Sequence, residues 1–127
     1  MTSVLAPRPA RSVLAVTRSR VPHPVLVIAP AGTLDAETSP AFADFVDESL
    51  LARPATEAVI LDLTEVALLT HGGLRAVRGA RRHVERHSMR VVIVAEPGGP
   101  AARALSGPTA RVYDTRRKAI SAVRPSA

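Results

Sequence analysis

The sequence predicts a single α/β domain with a mostly parallel central sheet and helices packed against it. Three observations carry this expectation. At 127 residues the chain is long enough to bury one core and too short for two. Three apolar runs, VLVIAP at 25–30, AVILDL at 58–63 and RVVIVA at 90–95, read as strands, and the second has the composition of a strand covered on both faces. Segments of helical periodicity lie between them, and strands that alternate with helices imply a parallel sheet.

The elements follow in order. SVLAVT at 12–17 reads as a first strand, joined to the strand at 25–30 through RSRVPHP, whose Pro22 and Pro24 mark a connection, so the pair forms a hairpin. Ser39 followed by Pro40 is the N-cap and N1 pairing that opens a helix over 40–52. In it Phe42, Phe45, Val46, Ser49 and Leu50 recur at helical spacing, with Asp44, Asp47 and Glu48 opposite, and Arg53-Pro54 ends it. After the strand at 58–63, an apolar run stops at Leu69. Thr70-His71-Gly72-Gly73 then intervenes, with Thr70 as an N-cap accepting from the N–H near Gly73.

The helix over 72–87 buries Leu74, Val77, Ala80 and Val84 and exposes a basic stripe of Arg75, Arg78, Arg82 and Arg86. EPGGP terminates the strand at 90–95. Beyond it lie a short helix or turn in AARALSG, an edge strand at RVY and a final helix in TRRKAISAV. Residues 1–11 read as a disordered arm, 12–123 as the domain and 124–127 as a C-terminal tail.

Composition narrows the function. Apolar residues make up 46% of the chain and aromatics 2%, so the core is aliphatic and base-stacking platforms are disfavoured. Cysteine is absent, which removes thiolate nucleophiles and Cys-ligated zinc and suits a reducing, cytoplasmic setting. No apolar run approaches the roughly 18 residues of a membrane span, and the first 24 residues lack a secretory h-region. The net charge of +6 is segregated: residues 25–69 carry eight acids against one Arg, and residues 70–127 carry twelve bases against three acids. Sixteen of the seventeen bases are Arg, a composition effect as readily as a phosphate-binding one, so nucleic acid is not the expected partner.

Three constellations could carry chemistry. His83 and His87 share a helix face, but the sequence HVERH lacks the zincin order and brings Arg82 and Arg86 alongside, so no metal is expected. Gly72 and Gly73 with Arg75 could cradle a small anion or nucleotide through free backbone N–H groups, although neither phosphate-loop pattern is present; close approach of strand, turn and helix is the favoured account of them. Thr70, His71 and Asp35 have the residue types of a hydrolytic triad, but adjacent Thr and His diverge at a helix start. No enzyme activity and no cofactor are expected.

Taken together, GTLDAETSPAF, AVILDLTEVALLTHGGLRAV, RVVIVAEP and VYDTRRKAISAV resemble the STAS domain, the fold of anti-sigma factor antagonists and of the cytoplasmic tails of sulphate transporters. The resemblance puts the family's Gly-x-Leu-Asp corner on Gly32, Leu34 and Asp35, its following hydroxyl on Thr38, and its buried strand motif on Leu61, Asp62, Leu63 and Thr64. The helix after the regulatory turn begins at Gly73-Leu74. In phosphorylatable members that turn reads Asp-Ser-Ser/Thr-Gly-Leu, and a partner kinase that is also the anti-sigma factor phosphorylates the first Ser. Here Thr70 replaces the Asp and His71 replaces the phosphoacceptor, with Gly72 next. The segment ARALSGPTA at 102–110, which holds Arg103 to Thr109, is about two residues shorter than the family's Arg-containing helix before its Ser/Thr-Gly-Leu.

The resemblance implies a protein-binding regulatory module whose partner is an anti-sigma factor or an ATPase-like regulatory kinase. It assigns partner binding to Asp35, Thr38, Thr70, His71, Gly72, Gly73, Leu74 and Arg75. The alternative is a small-anion or nucleotide-binding regulatory domain.

Overall fold

Residues 13–21, 24–105 and 111–123 are described by a computed structural model of the chain. They run β1 (Leu14–Val21), β2 (Val25–Leu34), α1 (Ser39–Ala52), β3 (Ala58–Asp62), β4 (Val66–Leu69), α2 (His71–Arg86), β5 (Arg90–Val94), α3 (Pro100–Leu105), β6 (Val112–Tyr113) and α4 (Arg116–Val123). The expected arm at 1–11, the tail at 124–127 and residues 106–110 of the shortened segment lie outside the described residues.

The sheet order is β1-β2-β3-β5-β6, with β4 also paired to β2. β1 and β2 form the expected hairpin, in antiparallel register from Leu14 opposite Gly32 to Val21 opposite Val25. Every other pairing is parallel. Aliphatic β2, β3 and β5 are buried because helices cover both faces of the sheet. On one face α1, α2 and α3 bury Phe42, Val46, Val77, Val84 and Leu105 against Leu26, Ile28, Val59 and Leu61. On the other, α4 sets Ala119 and Val123 against Val25, Val27, Ile60 and Val92. The alternation of side chains along each strand makes one run feed both layers.

Three details differ from the sequence expectation. β2 continues to Leu34, beyond residue 30, because β4 supplies a second partner: Val25–Ile28 pair with β3, and Gly32–Leu34 pair with β4 across a register shift. β4 itself is too short and too exposed to show a periodic signal, and Leu68 is 55% exposed. The N-cap of α1 is Thr38, not Ser39, which is already helical. In α2, Gly73 is buried with Val77, Ala80 and Val84, while Leu74 is only half-buried. Arg75, Arg78, Arg82 and Arg86 are exposed as the pattern requires.

Of the three buried polar residues among those described, Thr38, Ser49 and Asp62, the last two brace the core. Ser49, on the buried side of α1, donates to the Phe45 carbonyl at 2.7 Å and accepts from Arg18 of β1, whose guanidinium stands over the Phe45 ring. Asp62 ends β3 almost fully buried. One carboxylate oxygen accepts from the Thr64 N–H and hydroxyl, and the other accepts from Arg116 Nε at 2.9 Å, tying α4 to the sheet. No helix among the described residues is long and apolar enough to cross a membrane.

Candidate functional site

Two chain corners meet at one end of the sheet. The first follows β2. The Asp35 N–H donates to the Thr38 hydroxyl oxygen at 3.0 Å, and the Thr38 N–H donates to Asp35 Oδ1 at 2.9 Å. The reciprocal pair closes a side-chain-braced turn, which explains an Asp and a Thr three residues apart before a helix. Thr38 is buried, with its hydroxyl also 2.9 Å from the Thr33 carbonyl, so it shapes the corner from within. Asp35 is half-buried.

The second corner joins β4 to α2. Thr70 is extended, and its hydroxyl caps the helix by accepting from the Gly73 N–H at 3.2 Å, as the sequence predicts. Its own N–H donates to the Leu34 carbonyl at 3.1 Å, and its carbonyl accepts from Leu74 N–H at 2.8 Å. The two glycines have a steric cause. A Cβ on Gly73 would run into the Leu34 carbonyl, and one on Gly72 would stand 2.9 Å from the Ala36 nitrogen. Neither has a positive φ, so closeness rather than backbone freedom requires them. Ser39 Oγ donates to the Asp35 carbonyl and lies 3.4 Å from the Gly72 carbonyl, so α1 and α2 start against each other.

This geometry weighs on the other constellations. The Gly73 N–H is engaged by Thr70, which removes one of the two donors the anion-binding alternative relies on. The Thr70 hydroxyl lies within reach of backbone groups of Gly73 and Leu34, while Asp35 Oδ1 accepts from Thr38, so no hydrogen-bonded relay links Thr70, His71 and Asp35. His83 Nε2 pairs with Asp47 of α1 at 3.2 Å, and His87 Nδ1 donates to the His83 carbonyl at 2.9 Å. No group of three or more His, Cys, Asp or Glu that could hold a metal occurs among the described residues.

The sequence pattern of the STAS domain family matches residues 16–113, more than three quarters of the chain. The chain belongs to the STAS domain family.

Solved structures agree on the fold. An anti-sigma factor antagonist from Mycobacterium paratuberculosis is similar at 25% identity, covering 91% of this chain and 98% of its own, with a TM-score of 0.76. The Bacillus cell fate determinant SpoIIAA in its phosphorylated form is similar at 21% identity, covering 87% of this chain and 100% of its own, with a TM-score of 0.64. Its unphosphorylated form gives 20% identity, 88% and 100% coverage, and a TM-score of 0.67. No curated protein matches this STAS domain.

Within this STAS domain the eight residues assigned from sequence lie along the two abutting corners, but they differ in access. His71 and Arg75 are exposed; Asp35, Thr70, Gly72 and Leu74 are half-buried; Thr38 and Gly73 are buried. Sequence reasoning missed the contribution of Ala36 and Ser39. With Gly72 they form the small-residue wall of an open groove of about 560 Å³ beside α2. In the sequence only the Ser39-Pro40 pair points to Ser39, and it points to a helix cap rather than to a groove.

Proposed function

We propose that this STAS domain is an anti-sigma factor antagonist-type regulatory module. It acts in the cytoplasm by binding a protein partner, an anti-sigma factor or a related ATPase-like regulatory kinase, and not by catalysis. The supporting observation is the contact between the Asp35–Thr38 corner and the first turn of α2, which makes one continuous surface with His71 exposed on it. Where the resembled proteins carry a phosphoacceptor serine, this surface carries an imidazole. A serine phosphate there adds about −2 charge to a docking surface and blocks it. An imidazole gives a serine/threonine kinase no hydroxyl at that point, so binding here is not switched off by that route.

The test is a calorimetric titration against an ATP-binding anti-sigma factor from the same genome. Asp35→Lys places a cation at the interface, and a like charge there costs several kcal/mol, on the order of a hundredfold in affinity. It also removes the acceptor for the Thr38 N–H, at about 1 kcal/mol of stability. Asp35→Asn keeps that acceptor while removing the charge, so it isolates the interface effect. An unchanged affinity for both variants, with a lowered melting temperature, makes Asp35 purely structural and removes it from the interface.

A further inference from the structure

Arg75, Arg78 and Arg82 of α2 line the groove together with Gly72 at the start of the same helix, Ala36 from the corner before α1 and Ser39 at the start of α1. Their spacing of three and then four residues sets them about 4.5 and 6 Å apart along the axis of α2. None is paired with a carboxylate. Among the described residues, the ion pairs join Arg81 to Glu85, His83 to Asp47, Arg116 to Asp62 and Lys118 to Asp114. Arg78 donates to the Ala104 carbonyl at 3.0 Å, which leaves its charge uncompensated. Three cations on one concave surface repel one another, although carboxylates at Asp44, Asp47 and Glu48 stand exposed on the neighbouring α1.

We infer that this groove docks an acidic segment of the partner protein, with carboxylates spaced about one helical turn apart. The inference rests on the partner-binding reading and names the chemistry of its α2 side. Guanidinium groups take carboxylates in a two-pronged geometry, and a ladder at one-turn spacing meets an acidic helix in register. The groove is continuous with the proposed interface, since Gly72 belongs to both. A nucleic acid fits this surface less well. Its uniform negative charge would also cross the acidic side of α1, which the Asp47–His83 pair holds beside α2, and the groove offers no aromatic side chain for stacking. A protein segment can be acidic over the groove and basic over α1.

The experiment titrates the ¹⁵N-labelled full chain with a short helical peptide carrying Glu at one-turn spacing, with inorganic phosphate and a random-sequence DNA duplex in parallel. The expected result is amide shifts confined to Ser39, Gly72 and the Arg75–Arg82 turns, with peptide affinity that falls as salt rises. The double variant Arg75→Glu/Arg82→Glu should bind the peptide at least about tenfold more weakly at an unchanged melting temperature, because like charges replace opposite ones at exposed positions. The remote pair Arg111→Glu/Arg117→Glu should bind as the native chain does. Equal loss in the remote pair, tighter binding of DNA or of phosphate than of peptide, or no peptide binding at all overturns the assignment. If the peptide fails while an anti-sigma partner binds and Asp35→Asn weakens it, the partner-binding reading stands and the groove assignment alone falls.

Discussion

Thr70 donates its N–H to the Leu34 carbonyl at 3.1 Å, and Gly73 closes on that same oxygen so tightly that a Cβ there would overlap it. The end of β2 and the start of α2 are thus one packed unit. Gly73→Ala should destabilise the domain by about 1–3 kcal/mol, the range for overpacking a closed site, despite the helix propensity of Ala. Gly79 is the internal control. A Cβ there meets nothing within 4 Å, so Gly79→Ala should stabilise by up to about 1 kcal/mol. Paired urea denaturation of both variants checks the contrast, and equal effects would deny the close approach.

The Thr70 hydroxyl supplies the N-cap of α2, so Thr70→Ala should lose about 1 kcal/mol, while Thr70→Ser, which retains the oxygen, should lose much less. Thermal unfolding separates the two. No difference between them would show that the cap is energetically idle.

Asp62 makes three accepted hydrogen bonds at the end of β3, two from Thr64 and one from Arg116. Its side chain is 5% exposed whereas that of Arg116 is 41% exposed, so water can recover the guanidinium after substitution and screens the pair. Asp62→Ala should therefore cost about 1–3 kcal/mol, from the three hydrogen bonds lost at once, the emptied buried site and the loosened α4. Arg116→Ala should cost less. Denaturant midpoints decide the ranking, and the reverse order would mean that the buried Asp62 carboxylate left without its counter-charge is the larger cost.

At the start of α4, the hydrogen bond from Lys118 holds the Asp114 carboxyl below its ordinary value of 3.8. A carboxyl depressed in the folded state stabilises at pH above 3.8, and that contribution disappears as pH falls through the folded value. Lys118→Gln should move the Asp114 midpoint upward toward 3.8, read by NMR titration. A midpoint that stays put would assign the shift to the backbone hydrogen bonds at Asp114 and Thr115 instead.

Much of the fold was legible because its signals are local and redundant. The aliphatic runs of β2, β3 and β5 can only be covered strands, and the Leu74–Val84 and Arg75–Arg86 stripes fix α2 on two sides at once. β4 was not legible. Its four residues are half exposed and owe their conformation to pairing with Gly32–Leu34, a partner more than thirty residues away. At the site, the Thr70 cap could be read because capping is a contact three residues long. The reason for Gly72 and Gly73 could be read only as a choice between two explanations, since the atoms they approach, at Ala36 and Leu34, come from another corner of the chain. Burial of Thr38 had the same obstacle: its partners Thr33 and Asp35 are near in sequence, but nothing local says that the corner closes over it.

The proposed function requires the turn at Thr70–Leu74 to dock a kinase-like anti-sigma partner without the serine switch. One sample tests it most directly: the STAS domain is incubated with that partner and ATP, and intact mass with peptide mapping is read alongside complex stability. The predicted result is a complex that persists, with no phosphate on residue 71 and none on Thr70, whose hydroxyl is held by the Gly73 N–H. His71→Ser together with Thr70→Asp should then restore phosphorylation and release. A stoichiometric phosphate on Thr70 that dissociates the native complex would contradict the account, because the switch would have moved by one residue instead of being lost.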